Sequence, residues 1–240
     1  MLLRRFTQHV KDQNWFAVAL DFLIVVIGIL IAFQITEWSG ARKERAREGY
    51  VLEQIALDLG VIENQARLRV DMYTSKVEAV DRITAFVSSG ATQPADEAAL
   101  LADLNEVLFR WGPVQRSPTY VELLSSGDLG IISDPALRAE IMGFDRRMQD
   151  MLRADEVIVD FWVLYNEGLR TKLVLADSFT GDNTINWGVG SYDLAAMRED
   201  REFLSTLSWI KRMHFISADA NASVETYASA LRIKLEESTS

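Results

Sequence analysis

The chain has 240 residues, no cysteine and a formal net charge of −10. That length suits one globular domain plus a short extra segment, with a core large enough to stand without disulfides or metals. The missing thiols exclude disulfide staples, zinc–thiolate sites and cysteine nucleophiles.

The first element is an apolar stretch. Phe22–Phe33 has no polar side chain, and Trp15–Ile35 is interrupted only by Asp21 and Gln34. As a helix it is about 31 Å long, one hydrocarbon thickness, with Trp15 and Trp38 roughly 35 Å apart at the two interfaces. The expected division is a flank over 1–14, a transmembrane anchor over 15–38 and an acidic helical domain over 39–240. Two alternatives stay open: a signal peptide cut near Ser39-Gly40-Ala41, and a buried core helix. Asp21 either sits at the headgroup boundary and caps a shorter span, or is an intramembrane acid facing a partner helix. Gly28 and Ala32 form a small-xxx-small face that suits helix pairing.

Residues 1–47 hold seven Lys/Arg against four Asp/Glu, and residues 48–240 eighteen against thirty-one. The basic excess beside the apolar stretch suits contact with a lipid bilayer. The acidic body repels phosphate backbones, so no nucleic-acid partner is expected. Arg4, Arg5 and Lys11 before the span nearly balance Arg42, Lys43, Arg45 and Arg47 after it. A signal-anchor arrangement is preferred: inner membrane, single pass, the large domain outside the cytoplasm.

From Glu44 to about Val87 the apolar residues Ile55, Leu59, Ile62, Ala66, Tyr73, Val77, Val80, Ile83 and Val87 step mostly by three and four. They predict a long helix continuous with the anchor, ended by Ser88-Ser89-Gly90 and Pro94. Asp96 to about Phe109 predicts a shorter helix. Ser117-Pro118 opens another, to Ser126, with Gly127 as its left-handed cap. Ser133-Asp134-Pro135 starts a helix whose seam (Leu137, Ile141, Phe144, Met148, Met151, Asp155, Ile158, Trp162, Tyr165, Leu169) alternates steps of four and three, a coiled-coil-like pattern. Ala176–Tyr192 is expected to be a loop. Asp193 or Asp200 starts the last helix, with the seam Phe203, Leu207, Ile210, His214, Ser217, Asn221, Val224, Ala228, Leu231 and Leu235. The fold class is all-α: an antiparallel bundle of three long and two short helices behind the anchor.

The middle of each long seam is polar: Arg69, Asp155, His214 and Asn221. Aligned helices would bring these to one level, as a buried layer that fixes register or binds a small polar ligand. The competing reading lets Val70 replace Arg69 in the seam and Asp155 lean out at a rim. No catalytic, metal or cofactor constellation is found. His9 and His214 are isolated, Gly188-Val189-Gly190 lacks a dinucleotide-loop context, and Asp182 and Asn183 lack calcium-loop spacing. Asn221-Ala222-Ser223 matches a glycosylation triplet but falls in a predicted helix.

Two stretches carry a resemblance. Asp21-Phe22-Leu23-Ile24-Val25-Val26-Ile27-Gly28-Ile29-Leu30-Ile31-Ala32-Phe33-Gln34-Ile35 with Trp38 is similar to an acid followed by a "VVIGILIALQ" run and a Trp. Pro118-Thr119-Tyr120-Val121-Glu122-Leu123-Leu124-Ser125-Ser126-Gly127-Asp128-Leu129-Gly130-Ile131-Ile132 resembles "TxAYxxLxSSGxLxxI". Both patterns belong to an uncharacterised bacterial family of single-pass membrane proteins, a domain of unknown function. The chain departs from it at Ile35-Thr36-Glu37-Trp38, where the family often has Asn-Asn-Trp-Asn. The resemblance implies an uncleaved anchor and a usual acid at Asp21, and no activity. The second motif reads physically as a helix stop, with a binding role for Tyr120 or Ser126 as the alternative. The functional expectation is a non-enzymatic, membrane-tethered interaction or sensing module of the bacterial envelope. It has no cofactor, and its partners are the bilayer and an envelope protein or a second copy. The alternative is a ligand-binding helical domain using the polar layer.

Overall fold

The computed structural model describes residues 15–179 and 185–239, and the side chains of 19–176 and 188–238. Arg4, Arg5, His9, Lys11, Asp182 and Asn183, and the side chain of Trp15, therefore lie outside the described residues. The elements are α1 (Trp15–Ser88), α2 (Glu97–Leu108), α3 (Pro118–Ser126), a 3-10 turn (Asp128–Ile131), α4 (Pro135–Arg170), β1 (Leu173–Phe179), β2 (Ile185–Tyr192), α5 (Leu194–Glu199) and α6 (Phe203–Thr239). The chain divides into two compact units, Met1–Tyr50 and Val51–Ser240, and α1 contributes to both.

In the first unit the described side chains of the apolar stretch have almost nothing packed on them. Phe22 is 71% exposed, and Leu23, Ile24, Val25, Ile27, Ile29, Leu30, Ile31 and Phe33 are exposed with it. This helix is long and apolar enough to cross a membrane. It is not the buried core helix of a soluble domain, because none of its most apolar window is buried. A Cβ added at Gly28 would meet nothing within 4 Å. Asp21 is exposed on the same helix. The Trp38 ring lies under the Arg42 guanidinium at 5.7 Å, an aromatic–cation pair of the kind found at headgroup depth.

The second unit is a helical bundle, and its helix ends follow their signals. Asp96 caps α2 through Ala99 N. Ser117 caps α3 through Tyr120 N, with Pro118 at the first helical position. Gly127 ends α3 at φ 78°, where a side chain would be strained. Asp134 caps α4. Asp193 caps the short α5, and Asp200 accepts from Glu202 N before α6 begins, so both candidate starts are used, on separate helices.

All ten residues of the α6 seam are buried. They divide the core in two. One apolar cluster joins Ile55, Leu59 and Ile62 of α1 to Ile141, Phe144 and Met148 of α4 and to Val224, Leu231 and Leu235 of α6. The other joins Val80 and Ile83 to Leu104 and Val107 of α2 and to Phe203, Leu207 and Ile210. Between them, α1 shows Arg69, Tyr73 and Lys76, and α6 shows His214, Ser217 and Asn221.

The expected loop at Ala176–Tyr192 is instead part of an antiparallel hairpin, β1 with β2, with a bulge between Val174 and Leu175. Gly188-Val189-Gly190 lies in β2. A Cβ on Gly190 would come within 3.0 Å of that of Ala176, so glycine permits the pairing. Of the two glycines, Gly190 alone marks a close strand approach, since a Cβ on Gly188 would meet nothing within 4 Å. Among the described residues the short α-helices number three rather than two, because α5 forms separately from α6.

Leu207 is fully buried and Leu164 is 65% exposed. Leu207→Ala should lower unfolding free energy by about 2–5 kcal/mol, and Leu164→Ala by no more than about 0.5 kcal/mol, as read from urea midpoints in detergent.

Candidate functional site

The C-terminus of α2 ends in the middle of the bundle, and that placement builds the polar belt. The last carbonyls of a helix have no intrahelical donor and must find one elsewhere when buried. Val107 and Leu108 are buried, and the chain continues through an irregular segment, residues 109–117, in which Val114 is fully buried. Donors arrive from α1 at positions i, i+4 and i+7, one face of a helix. Arg69 Nε donates to the Gly112 carbonyl at 2.9 Å, the Tyr73 hydroxyl donates to the Trp111 carbonyl at 2.8 Å, and Lys76 Nζ donates to the Glu106 carbonyl. From α6, His214 hydrogen-bonds the Val107 backbone while its Nε2 has no partner, so Nδ1–H is the donor.

The same segment gives its own guanidinium groups to α4. Arg110 pairs with Asp155. Arg116 clasps the buried Asp145 through two bonds of 2.6 and 2.8 Å, and Gln149 adds a third at 2.6 Å. An Arg–carboxylate fork with a further amide donor satisfies a buried acid well. Asp58 of α1 accepts from Ser117 Oγ and Thr119 N, fastening the start of α3.

This arrangement corrects the expected pairing. Asp155 bonds to Arg110, not to Arg69 or His214, and Arg69 bonds to Gly112 and Gln65 carbonyls. Asn221 Nδ2 donates to the Ser217 carbonyl at 2.7 Å. None of these bonds joins two of Arg69, Asp155, His214 and Asn221. The physical reason is the 109–117 segment, whose bonds run to α1 on one hand and to α4 on the other. Arg110, Arg116, Lys76, Asp145 and Asp58 were missed because nothing in helical spacing shows where a connecting segment threads. The buried Lys76 follows Tyr73 by three residues, one helical step along the seam, and the Arg-x-x-x-x-x-Arg spacing of the segment was the remaining cue.

Burial dominates the electrostatics. It raises the Tyr73 phenol above its usual range and lowers the Lys76 ammonium, the latter partly offset by Glu106. His214 is held to about 3, first by desolvation and then by the positive charges of Lys76 and Arg110, so it is neutral near pH 7.

A groove of about 480 Å³ opens beside this belt, between α4 and α6. Its walls are Phe144, Met148, Met151 and Ile158 on one side and Ile216 and Val224 on the other, with Tyr73, Gly112, Pro113, Ser217 and Asn221 beneath. Asn221 Oδ1 is buried without a partner, and so is Ser217 Oγ, which lies beside the Tyr73 hydroxyl without a bond of proper geometry. In the second motif, Tyr120 and Ile132 are buried, and the Ser125 and Ser126 hydroxyls bond back to the Glu122 and Leu123 carbonyls. Those bonds are the ones a helix stop needs. Among the described residues no group of three or more His, Asp or Glu is placed to hold a metal. No protein-family model, curated protein or solved structure matches the chain significantly.

The folded pKa of His214 lies below its unfolded value of about 6.5, so the folded state resists protonation. Its contribution is intact above about pH 6.5 and is lost as pH falls toward 3, at up to roughly 1.4 kcal/mol per pH unit. His214→Gln, which keeps a donor for the Val107 carbonyl and does not titrate, should flatten the decline in urea midpoint between about pH 6.5 and about pH 4. A variant as acid-sensitive as the parent would show that His214 does not govern the decline.

Proposed function

We propose that the chain is a membrane-tethered, non-catalytic helical module for interaction or sensing, with its bundle outside the cytoplasm. The observation that supports it most is the helix in which Leu20–Ile35 leaves its apolar side chains uncovered. Water is a poor solvent for such a surface, and hydrocarbon is a good one. The resemblance at Asp21–Ile35 favours retention of this segment over cleavage.

The bundle adds a second uncovered surface. Val157, Phe161, Val163 and Leu164 of α4 are exposed, and Phe161, Tyr165 and Trp209 form a ladder of parallel rings at 6.4 and 5.3 Å. A helix apolar around most of its circumference normally has a covering partner. This supports a protein partner in the envelope, bound over the C-terminal half of α4. A second reading, a ligand-binding helical domain, is favoured by one observation: the groove of about 480 Å³ beside the polar belt, with Ser217 and Asn221 among its apolar walls.

The full chain should remain with membranes after alkaline carbonate extraction, and its intact mass should stay at 27.1 kDa. Val25→Arg with Ile29→Arg, each costing about 2.5–3.5 kcal/mol in the span, should release it. A C-terminal alkaline phosphatase fusion should be active. A soluble parent or a shortened mass would end the tether reading, and an inactive fusion would reverse the orientation.

A photo-crosslinking side chain at Leu164 should trap one discrete adduct in cells, while one at the exposed Glu122 should trap none. An adduct of twice the chain mass would identify the partner as a second copy. Equal diffuse labelling at both positions would remove the case for a docking surface.

A further inference from the structure

We infer, resting on the tether reading, that the outward face of α1 pairs two copies of this chain side by side through Leu57, Val61, Asn64 and Leu68. The helix carries two seams. Ile55, Leu59, Ile62 and Ala66 are buried and belong to the apolar core of the bundle. Leu57, Val61 and Leu68 are 60%, 57% and 58% exposed, and Asn64 is exposed among them. The outer four step 4-3-4. At 3.6 residues per turn they fall within about 60° of arc. That is the spacing of a coiled-coil seam. It stops where charge begins, since the next position in the series is Asp71.

The stripe complements itself. In a two-fold pair whose helices run the same way, each residue meets its own counterpart. Leucine meets leucine, valine meets valine, and the Asn64 amide, which both donates and accepts, meets an amide. Asn64 Oδ1 accepts from Arg67 at 2.7 Å, which leaves the Nδ2 hydrogens to reach across. Helices running in opposite directions would instead set Val61 against Asn64 and bury an amide on hydrocarbon. None of the four side chains is ionised, so the approach puts no like charges on the axis. Gly60, beside the stripe, adds no side chain to hold a second helix away. A shallow groove of about 450 Å³ opens there, with Leu57, Gly60, Asn64 and Arg232 among its lining residues.

Direction and concentration come from the anchor. Copies inserted in the same sense reach one side of the bilayer, and α1 leaves the membrane the same way in each. Three apolar side chains and one amide per copy fall short of the roughly 800 Å² per partner that a stable pair in water buries. Confinement to one membrane raises the effective concentration and offsets that shortfall. Gly28 and Ala32 in the anchor favour helix pairing in lipid as well.

The chain has no cysteine, so an introduced thiol is unique in it. Single-cysteine variants of the full chain are oxidised with copper phenanthroline in the membrane and separated on non-reducing gels. Leu57→Cys, Val61→Cys and Leu68→Cys should each give a product of twice 27.1 kDa. Because a disulfide needs Cα atoms within about 7 Å, that product should exceed the one from Leu164→Cys or Glu122→Cys at least about tenfold. Leu57→Lys with Leu68→Lys, which sets like charges on the axis, should cut the Val61→Cys product at least about tenfold. Both sites are exposed, so the urea midpoint in detergent should stay unchanged. Equal product at all five sites, or product from Leu164→Cys in preference, would overturn the pairing. A Val61→Cys product that survives the two lysines would do the same. Carbonate extraction of the same membranes separates the two failures. A retained chain without the seam pattern loses the pairing alone, and a released chain loses the tether with it.

Discussion

The bundle depends on satisfying carbonyls. A helix that stops inside a bundle exposes oxygen atoms where water does not reach, and each one left alone costs on the order of 1–3 kcal/mol. Here α2 stops between the two apolar clusters, and the irregular segment after it buries Val114 and Ser117 while Phe109, Trp111, Gly112 and Gln115 stay exposed. Arg69, Tyr73, Lys76 and His214 converge on this one stretch of backbone. Two of the four, Arg69 and Lys76, are cations, which also suits the negative end of a helix dipole. The polar belt is therefore first a capping device, supplied by two neighbouring helices. A similar solution recurs at the end of α1, where Arg198 donates to the Val87 and Ala91 carbonyls.

This origin explains which parts of the molecule were legible in the sequence. The α6 seam could be read residue by residue, because helical periodicity is local and a fully buried stripe has no room for exceptions. Ser117-Pro118, Gly127 and Asp134-Pro135 were legible for the same reason: caps are chemistry within four residues. The polar positions His214 and Asn221 were visible as breaks in a seam, and both are buried. Their partners were not visible. Arg110 lies 45 residues before Asp155 in a stretch with no period, and a pairing of that kind depends on where the segment threads. The hairpin was missed because Leu173–Phe179 and Ile185–Tyr192 do not alternate cleanly, and the glycines of β2 resemble a loop until Gly190 is seen against Ala176.

The belt also places the groove. Apolar side chains interdigitate above and below it, so the clusters around Ile55 and Leu207 leave little space. Where the seam turns polar, the chains are shorter and directional. Ser217 and Asn221 occupy positions that leucine would fill elsewhere in the seam, and the missing volume lies between α4 and α6. Packing interrupted at the polar belt thus leaves open space beside it. The His214 ring serves the capping of α2, since its bond runs to Val107. Asn221 belongs to neither cluster and caps no other helix, and its free oxygen has no structural use in the bundle as it stands.

Two unrelated solvents are then implied by surfaces of one chain. Along Leu20–Ile35 the apolar residues point around the whole circumference of the helix, which is what hydrocarbon accepts. On α4 the exposed residues Val157, Phe161, Val163 and Leu164 are interleaved with Glu156, Asp160 and Glu167, and the neighbouring rings of Tyr165 and Trp209 are stacked in a fixed order. Acids at that density are costly in lipid, at several kcal/mol each near mid-bilayer. They are ordinary at the polar rim of a protein interface, where aromatic rings make up the centre. The composition of the two surfaces therefore separates the partners proposed for them: lipid for the first, and protein for the second.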